Sequence, residues 1–360
     1  MTLTLTIDGD RWRAHLSAVA QATPGLVPVA KGNGYGVGLG RRARTTQWRA
    51  DQGLLGEDPV LAVGTYAELP EVATRCSADL LVLTPWRPFG PGLELDPTLA
   101  GRVIHTVGRP EDLRDLLARD PRARFVLELG TSMKRHGLAP HELRHTGLEL
   151  ADRPSARLAG VAVHLPLGTG THLAEMERLL TDVVAAGLPA GSSTVWVSHL
   201  STDELAQLRR AYPDLAVRPR IGTDLWLGDR GALRVTAPVL DVHAIERGER
   251  YGYRQRSAPR AGHLVIVSGG TAHGIGLEAP LGDGSLRSRA TRLARGGLDA
   301  AGLAKSPYLI DRRHPFFAEP PHMQASMLFL PQGSSVPAVG DELELRVRFT
   351  ATWVDRVVSS

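Results

Sequence analysis

The stretch LVPVAKGNGYG, residues 26–36, decides the fold of this chain. It opens on a short run of apolar residues and proline, a length and composition typical of a strand that is buried on both faces. The run ends at Lys31, and a turn rich in glycine follows at once. A buried strand that passes into a polar, glycine-rich turn is typical of the strand-to-helix connections of α/β proteins.

The same apolar pattern recurs in the chain on both sides of many helical stretches. Two of these stretches are PEDLRDLLARD (110–120) and THLAEMERLLTDVVAAG (171–187). Strands that alternate with helices over about 200 residues predict a TIM (β/α)8 barrel, an α/β fold, although a doubly wound open sheet is a competing arrangement. The apolar runs are LVPVA (26–30), PVLAV (59–63), DLLVL (79–83), RVIHT (102–106), RFVLEL (124–129), GVAVHL (160–165), TVWVSHL (194–200) and LAVRPRI (215–221).

The pattern changes after residue 228, where strand-like stretches are joined by connections rich in glycine and proline. We therefore expect a barrel over residues 1–228 and a mainly β C-terminal domain over residues 229–360, with the boundary good to about ten residues. The first strand of the chain can belong to the β domain instead. Residues 283–322 are mixed and basic, and we expect a helical or irregular excursion there. The strand-like stretches are VTAPVLDVHAI (235–245), GHLVIVSGG (262–270), ASMLFL (325–330) and DELELRVRFTATWV (341–354).

The distribution of charge argues against a nucleic-acid partner, although the formal net charge is +4 and the isoelectric point is near 9.5. The arginines are spread along the chain and form no long block. The densest cluster, Arg41, Arg42 and Arg44, lacks the interleaved aromatic residues of a single-strand binder. Only three of the 42 basic residues are lysines, at positions 31, 134 and 305, so a lysine that ends an apolar run calls for a specific role.

Cysteine content and hydropathy indicate the compartment. Cys76 is the only cysteine, which excludes an internal disulfide and a cysteine-based zinc site. The first residues, MTLTLTIDGDRW, lack the basic start and apolar stretch of a signal peptide. No apolar run approaches the roughly 18 residues of a membrane span. We therefore expect a cytoplasmic protein with no membrane partner and no metal centre.

Polar residues follow the predicted strands at one common end. In an α/β barrel the reactive groups lie at the carboxyl ends of the strands, so these side chains are expected to converge. A lysine, an arginine, histidines and small hydroxyl or glycine residues together fit a phosphate-bearing cofactor. The residues at the strand ends are Lys31, Glu128, His164, His199 with Ser201 and Thr202, and Arg220 with Gly222 and Thr223.

The segment AKGNGYG, residues 30–36, resembles the cofactor-lysine motif of the alanine racemase family, which has the type III fold of pyridoxal-phosphate enzymes. The resemblance implies that Lys31 holds pyridoxal 5'-phosphate through an imine with the cofactor aldehyde. It also implies that Tyr35 contacts the cofactor phosphate. The segment is not a Walker loop, because the lysine precedes the glycines.

A second segment, TSMKRHG (131–137), resembles the substrate-binding stretch of the same family. The resemblance assigns the carboxylate of the amino-acid substrate to Arg135. The family orients this arginine with a carbamylated lysine, and Glu128 stands at that position here. Glu128 would therefore supply a permanent carboxylate where the family makes one from carbon dioxide.

Two strand ends resemble the part of the family that surrounds the cofactor. GVAVH (160–164) resembles the strand whose histidine sits near the cofactor ring, and this role passes to His164. SHLST (198–202) resembles the strand end that contacts the phosphate through hydroxyl groups, which implies this role for Ser201 and Thr202.

The segment RIGT, residues 220–223, resembles the family's segment at the pyridine ring. Arg220 would face the pyridine nitrogen, and the backbone amides of Gly222 and Thr223 would hold the phosphate. Arg218-Pro219 is a competing match for the register. An arginine keeps its proton at working pH, so the ring nitrogen would stay unprotonated. The resemblance implies that this restraint favours simple removal and return of a proton.

The predicted β domain matches the family more thinly. Met323 resembles the methionine whose amide touches the substrate carboxylate across a dimer. Thr271 stands where the family has a tyrosine as its second catalytic base, and a threonine hydroxyl holds its proton too tightly for that work. Histidine titrates near neutral pH, so we expect His273 to replace the tyrosine, with His322 as the reserve candidate.

These observations predict a homodimeric, pyridoxal-phosphate-dependent amino-acid racemase with active sites at the interface. It would remove and return the proton at Cα of a free amino acid, which produces a D-amino acid. The sequence does not identify the amino acid. Two alternatives keep the cofactor: a decarboxylase or aldolase-like lyase, and a non-catalytic regulatory protein that binds pyridoxal phosphate. The residues with catalytic roles in the racemase scheme are Lys31, His164, Arg220 and His273.

Overall fold

The structure, a computed structural model, describes residues 2–168, 172–189, 193–277 and 304–360. It divides into two compact units, one of residues 13–228 and one that joins the chain up to Trp12 with the chain from Asp229 onward. Strands are numbered β1 to β18 and helices α1 to α8 in chain order. Much of the excursion expected over residues 283–322 lies outside the described residues.

The larger unit contains a closed barrel of parallel strands. Its first and last strands pair with each other, Val27 opposite Arg220, which closes the ring. The predicted TIM-like barrel is therefore confirmed, and the open sheet is excluded. The barrel strands are β2 (Val27–Ala30), β3 (Val60–Val63), β4 (Asp79–Val82), β5 (Val103–Val107), β6 (Arg124–Leu129), β7 (Arg157–His164), β8 (Thr194–Ser198) and β9 (Ala216–Ile221).

Helices follow the barrel strands and bury their apolar faces against them. The stretch 110–120 forms α4 as its apolar spacing predicts, and most of 171–187 forms α6. Within the described residues, none of the helices has the length and apolar composition needed to cross a bilayer. The helices are α1 (Gly9–Ala22), α2 (Leu39–Asp51), α3 (Leu69–Ala73), α4 (Pro110–Arg119), α5 (Pro140–Ala151), α6 (Leu173–Ala185), α7 (Thr202–Ala211) and α8 (Thr223–Leu227).

The inside of the barrel is filled by one set of alternating strand positions. Val29, Ala62, Leu81 and Trp196 belong to this interior cluster. The intervening positions of the same strands belong to the larger cluster beneath the helices. Because side chains alternate between the two faces of a strand, a residue two positions beyond an interior residue lies on the interior side as well.

This alternation sets which side chains reach the carboxyl end of the barrel. Glu128 lies two residues beyond Val126 of β6, and His164 lies two residues beyond Ala162 of β7. Both Val126 and Ala162 are fully buried in the interior cluster. Glu128 and His164 therefore stand in the layer above the apolar core, at the end of the barrel where α/β barrels place their sites.

The second unit is mainly β, as predicted, and its longest strand lies at the centre of the sheet. β10 pairs in antiparallel fashion with β1, β13 and β17. The strands of this unit are β1 (Thr4–Ile7), β10 (Leu233–Ile245), β11 (Arg250–Tyr251), β12 (Arg256–Ser257), β13 (Gly262–Ser268), β14 (Tyr308–Leu309), β15 (Phe316–Phe317), β16 (Ala325–Pro331), β17 (Glu342–Leu345) and β18 (Arg356–Ser359).

Two strands of this unit differ from the simplest interpretation of the sequence. β1 pairs with β10 and, in parallel, with β18, so the first strand of the chain belongs to the β sheet and not to the barrel. The stretch 341–354 forms a strand only over Glu342–Leu345. The pairing of this strand with β10 ends at Leu345 opposite Val235, although β10 itself extends two residues further, to Leu233.

Candidate active site at the carboxyl ends of the barrel strands

Lys31 lies directly after β2, and its side chain is exposed at the mouth of the barrel. Gly64 follows β3, and its lack of a side chain lets Lys31 lie close to it. A Cβ at Gly64 would stand 2.9 Å from Cβ of Lys31. The surrounding protein limits hydration of the amine and lowers the pKa of Lys31, and the charges of Arg135 and Arg220 lower it further. Lys31 therefore becomes an uncharged nucleophile at lower pH than a free lysine does.

A carboxylate that the sequence analysis did not single out, that of Glu68, lies beside Lys31. Its oxygens accept hydrogen bonds from the backbone amides of Gly32 at 2.7 Å and of Gly64 at 2.6 Å. Its charge raises the pKa of Lys31 and so opposes the two arginines. The spacing Thr65-x-x-Glu68 is the signature of a capping box, which is the signal in the sequence that could have found it.

Tyr35 and Gly222, both predicted to contact phosphate, are brought together. The backbone of Tyr35 is left-handed, with φ 58°, and its side chain is buried. A Cβ at Gly222 would overlap the Tyr35 hydroxyl, so the absence of a side chain there is what admits the phenol. Burial raises the pKa of Tyr35 to about 12, which keeps its hydroxyl protonated and able to donate a hydrogen bond.

The glycine-rich turn that carries Tyr35 is stabilised by a hydrogen bond from the buried side chain of Arg42 in α2. Arg42 is fully buried, and its Nε donates to the carbonyl of Gly34 at 2.9 Å. Its guanidinium stacks on Trp226 of α8, 4.5 Å from the ring centroid. Trp226 in turn donates to the carbonyl of Val29 at 2.7 Å. These contacts fix the turn relative to the strand that ends at Lys31.

Glu128, Arg135 and Arg220 form one charge cluster. Glu128 is only 4% exposed, and burial raises its pKa while the charges of Arg220 and Arg135 act to lower it. Arg220 is 5% exposed, and its Nη2 donates to the carbonyl of Val163 at 3.0 Å. Among the described residues, the buried Nε of Arg220 has no hydrogen-bond partner. A buried N–H without an acceptor is unusual, and it marks Arg220 as a donor that a bound group could satisfy.

The competing register at Arg218 leads to a different place. Arg218 stacks on Trp196 inside the barrel, 4.7 Å from the ring centroid. It donates to the carbonyl of Asp58, which precedes β3. Arg218 therefore points towards the amino ends of the strands, and Arg220 is the arginine of this pair that lies with Glu128 at the carboxyl ends.

The loop after β6 carries Arg135, and hydrogen bonds from its first residues hold the loop in place. The hydroxyl of Thr131 donates to the carbonyl of His164 at 2.9 Å. The backbone amide and the hydroxyl of Ser132 both donate to the carboxylate of Glu175 in α6, at 2.6 and 2.8 Å. The side chain of Arg135 is exposed at the mouth, where its charge acts on Lys31.

Two histidines stand beside these charges. His164 and His199 meet edge to face, with ring centroids 5.0 Å apart. Burial lowers the pKa of His164 to about 3, with further lowering by Arg220 and Arg135. Burial also lowers the pKa of His199, whose backbone is left-handed with φ 67°. Both imidazoles are therefore neutral near pH 7 and do not add to the positive charge of the site.

The hydroxyl groups that follow β8 and β9 have unequal freedom to contact a ligand. Ser201 caps α7: its hydroxyl donates to the carboxylate of Glu204 at 2.9 Å and accepts from the amide of Glu204 at 3.2 Å. Thr202 and Thr223 are the first residues of α7 and α8, and both are exposed. The threonine hydroxyls are therefore more open to a ligand than the hydroxyl of Ser201.

In the β unit, the ring nitrogens of His273 are both occupied. His273 is 5% exposed, and its Nδ1 accepts from the amide of Gly270 at 3.2 Å. Its Nε2 lies 3.1 Å from Asp355. Thr271 lies in the same turn, and its backbone amide donates to the carbonyl of His322 at 2.8 Å.

His322 is held differently. Its Nε2 lies 2.6 Å from Glu319, a carboxylate that is 3% exposed. Its ring contacts the ring of Tyr253 with centroids 4.5 Å apart. The neighbouring side chain of Met323 is 70% exposed. A carboxylate on Nε2 favours the tautomer in which Nε2 carries the hydrogen and Nδ1 carries the lone pair.

The barrel mouth thus combines a nucleophilic amine with anion-binding groups. Lys31, Arg135 and Arg220 carry positive charge there, and the Tyr35 hydroxyl supplies a donor beside Gly222. Within the described residues, no group of three or more histidine, cysteine or carboxylate side chains is arranged to hold a metal ion. The fold and the site define a (β/α)8-barrel protein with a β domain and a lysine at the mouth of the barrel.

Comparison with known proteins identifies the family. The family model for the alanine racemase N-terminal domain matches residues 7–223, and this chain belongs to the alanine racemase family. The alanine racemase of Laribacter hongkongensis is 29% identical over 172 residues, which cover 44% of this chain and 45% of that protein. This chain therefore spans less than half the length of that relative. The alanine racemase of Sorangium cellulosum is 25% identical over 291 residues, 76% of this chain and 72% of that protein.

The solved structures agree with the family assignment at the level of the fold. The alanine racemase of Bartonella henselae, solved with covalently bound pyridoxal phosphate, superimposes with a TM-score of 0.71. The match covers all of both chains at 18% sequence identity. The two chains therefore share one fold over their whole length.

Proposed function

We propose that this protein is a pyridoxal-phosphate-dependent amino-acid racemase that removes and returns the proton at Cα of a free amino acid. The observation that carries the proposal is Lys31, a nucleophilic amine at a strand end, beside the buried Arg220 with an unpartnered Nε. An amine, a phosphate-binding hydroxyl and a donor for a ring nitrogen are the groups that this cofactor requires.

The side chains at the mouth of the barrel fit pyridoxal phosphate. Lys31 would hold its aldehyde, and the hydroxyl of Tyr35 beside Gly222 would donate to its phosphate, together with the amides of Gly222 and Thr223. When bound, the cofactor supplies an electron-withdrawing ring that acidifies the Cα–H bond of an attached amino acid. The Nε of Arg220 would donate to the ring nitrogen and, because arginine keeps its proton, would leave that nitrogen unprotonated.

The substrate carboxylate would be bound by Arg135. Glu128 supports this role, because its buried carboxylate acts electrostatically on both Arg135 and Arg220. A carboxylate built into the chain needs no reaction with carbon dioxide to orient the guanidinium. The exposed Arg135 recognises any free α-carboxylate, so the side-chain preference of the enzyme lies elsewhere in the site.

Racemisation needs proton transfer on both faces of the substrate carbon. We assign one transfer to the amine of Lys31 and the other to a histidine from the β unit of the partner subunit, as the family resemblance implies for the second base, since Thr271 cannot serve. The local contacts favour His322 over His273: both ring nitrogens of His273 are hydrogen-bonded, whereas Glu319 holds only Nε2 of His322. Nδ1 of His322 would accept the Cα proton and return it. Neutral His164 would line the site without competing for that proton.

A homodimer in the cytoplasm, producing a D-amino acid, completes the proposal. Two large side chains near His322 are exposed. Tyr253, 84% exposed, contacts the ring of His322, and Met323, 70% exposed, follows His322 in sequence. Large apolar side chains that are exposed together favour contact with a partner surface, and a second copy of the chain is the partner that the family resemblance implies.

The test is to incubate the purified protein and pyridoxal phosphate in deuterium oxide with a panel of L- and D-amino acids. Chiral separation and mass spectrometry would then follow the products. We expect one amino acid to give both enantiomers with deuterium at Cα. A product shortened by a carboxyl group or by a side-chain fragment would indicate a lyase instead. Cofactor binding with neither exchange nor cleavage would indicate a regulatory protein.

A further inference from the structure

The carboxylate of Glu68 joins the two strand ends on either side of Lys31. Oε1 accepts from the amide of Gly32, the residue after Lys31, at 2.7 Å. Oε2 accepts from the amides of Gly64 at 2.6 Å and Thr65 at 3.1 Å. One side chain therefore ties the end of β2 to the end of β3, with three charge-assisted hydrogen bonds to backbone donors.

The carboxylate also lies close to the lysine itself. A Cβ at Gly64 would stand 2.9 Å from Cβ of Lys31 and 3.0 Å from Oε2 of Glu68, so these three residues meet at one point. The carboxylate cannot turn away from this point without giving up hydrogen bonds to backbone amides. Its negative charge is therefore held at a fixed place beside the stem of Lys31.

The other charged groups at the mouth act on Lys31 in the opposite sense. Arg135, from the loop after β6, and Arg220, from β9, lower its pKa, while Glu68 raises it. The imidazoles of His164 and His199 face the same space, and the pKa of each is itself lowered by the charge of Lys31. Glu128 acts chiefly on the two arginines. Within the described residues, Glu68 is thus the anion that counters the arginines at Lys31.

We propose that Glu68 is a positioning residue for Lys31: it fixes the strand end from which the amine reaches the cofactor, and it places a negative charge beside the stem of the lysine. This inference rests on the proposed function, in which Lys31 carries the cofactor. It adds that a lysine between two arginines needs a matched anion to exchange protons near neutral pH.

The experiment measures the reactivity of Lys31 as a function of pH in protein freed of cofactor. Pyridoxal phosphate is added at each pH, the adduct is reduced with borohydride, and peptide mapping quantifies the label on Lys31. The variants are Glu68→Gln, which removes the charge at nearly constant size, and Glu68→Asp, which withdraws the charge by one methylene. The matched control is Glu142→Gln, because Glu142 also accepts a backbone amide at the start of a helix, that of Ala139 at 2.7 Å.

Removal of the anion should lower the pH midpoint of Lys31 labelling by about one unit, since an opposite charge within a few ångströms shifts a pKa by roughly 1–3 units. We expect the highest midpoint in the wild type, a lower one in Glu68→Asp and the lowest in Glu68→Gln. The control Glu142→Gln should have the same midpoint as the wild type. A purely structural role would reduce the amount of label without moving the midpoint. An unchanged midpoint in Glu68→Gln, or an equal shift in the control, would overturn the inference.

Two further outcomes are distinguishable. If Glu68→Gln does not fold, as judged by circular dichroism, Glu68→Asp decides: a midpoint at or above that of the wild type contradicts the inference. If wild-type Lys31 takes no label while Lys134 or Lys305 does, the proposed function fails as well, because the cofactor lysine is then misassigned. If wild-type Lys31 takes the label but the midpoint does not move in the Glu68 variants, only the role of Glu68 is contradicted.

Discussion

The hydroxyl of Tyr35 lies directly against Gly222, in the space that a side chain at residue 222 would fill. Tyr35 comes from the turn after β2 and Gly222 from the end of β9, and these two strands close the barrel. Closure of the barrel therefore creates this contact between residues 187 positions apart in the chain. The Tyr35 hydroxyl and the backbone amide of Gly222 are two neighbouring donors, which suits them to bind a phosphate oxygen.

Gly222→Ala should weaken binding of pyridoxal phosphate by at least about tenfold, because the new methyl group displaces the Tyr35 hydroxyl and blocks the adjoining amide. The measurement is a titration of the apoprotein followed by fluorescence quenching. Tyr35→Phe is the matched variant: it removes one hydrogen bond and keeps the ring, so we expect a smaller loss, corresponding to about 0.5–1 kcal/mol. Equal affinity of Gly222→Ala and wild type would show that the phosphate binds elsewhere.

Lys31→Ala should abolish covalent attachment of the cofactor while the barrel stays folded. Attachment needs a primary amine, and the exposed side chain of Lys31 contributes little to the apolar core. Borohydride reduction with peptide mapping measures the attachment, and circular dichroism measures the fold. Lys134→Ala is the control and should label like wild type. A label that persists in Lys31→Ala would contradict the assignment of the cofactor lysine.

Glu128→Gln should raise KM for the amino acid with a smaller effect on kcat. A neutral amide orients Arg135 less well than a carboxylate, and it leaves Arg220 buried without its anionic neighbour. We expect a KM increase of about tenfold or more, together with lower thermal stability. Wild-type activity should not respond to added bicarbonate, since no carbamate has to form. Bicarbonate dependence of the wild type would refute the role of Glu128 as a built-in carboxylate.

His322→Gln should abolish racemisation while leaving cofactor attachment at Lys31 intact. Exchange of the Cα proton by Lys31 should continue for one enantiomer, which deuterium incorporation measures separately for L- and D-substrates. His273→Gln is the matched comparison and should mainly destabilise the β unit, by about 1–3 kcal/mol, because it disturbs the buried hydrogen bond with Gly270 and the partly buried one with Asp355. Loss of racemisation in a well-folded His273→Gln protein, with full activity of His322→Gln, would return the role to His273.

Much of the fold follows from the sequence alone, because strand and helix periodicities are local properties. The apolar runs LVPVA (26–30) and RFVLEL (124–129) formed β2 and β6, and the change of pattern after residue 228 marked the start of the β-rich part. The positions of Lys31, Glu128 and His164 at strand ends were equally visible, since alternation along a strand fixes which side chains share a face.

Pairings between distant segments could not be obtained in this way. The residues of β1 suit a strand in either unit, and only pairing with β10 and β18 places it in the β sheet. The alternating sequence of residues 341–354 does not show that strand β17 ends at Leu345, where its pairing with β10 stops. Register is a property of two strands, so one strand's pattern leaves it open.

The sequence by itself determined that Lys31 ends a buried strand and begins a glycine-rich turn. Only the tertiary structure decided what surrounds that lysine: that Arg220 and not Arg218 lies at the same end of the barrel, and that Glu68 meets Lys31 across Gly64. The physical reason is the difference in the range over which the two effects act. Hydrophobic periodicity acts over a few residues, whereas the pKa of an amine depends on charges that barrel closure gathers from segments as distant in the chain as Glu68 and Arg220.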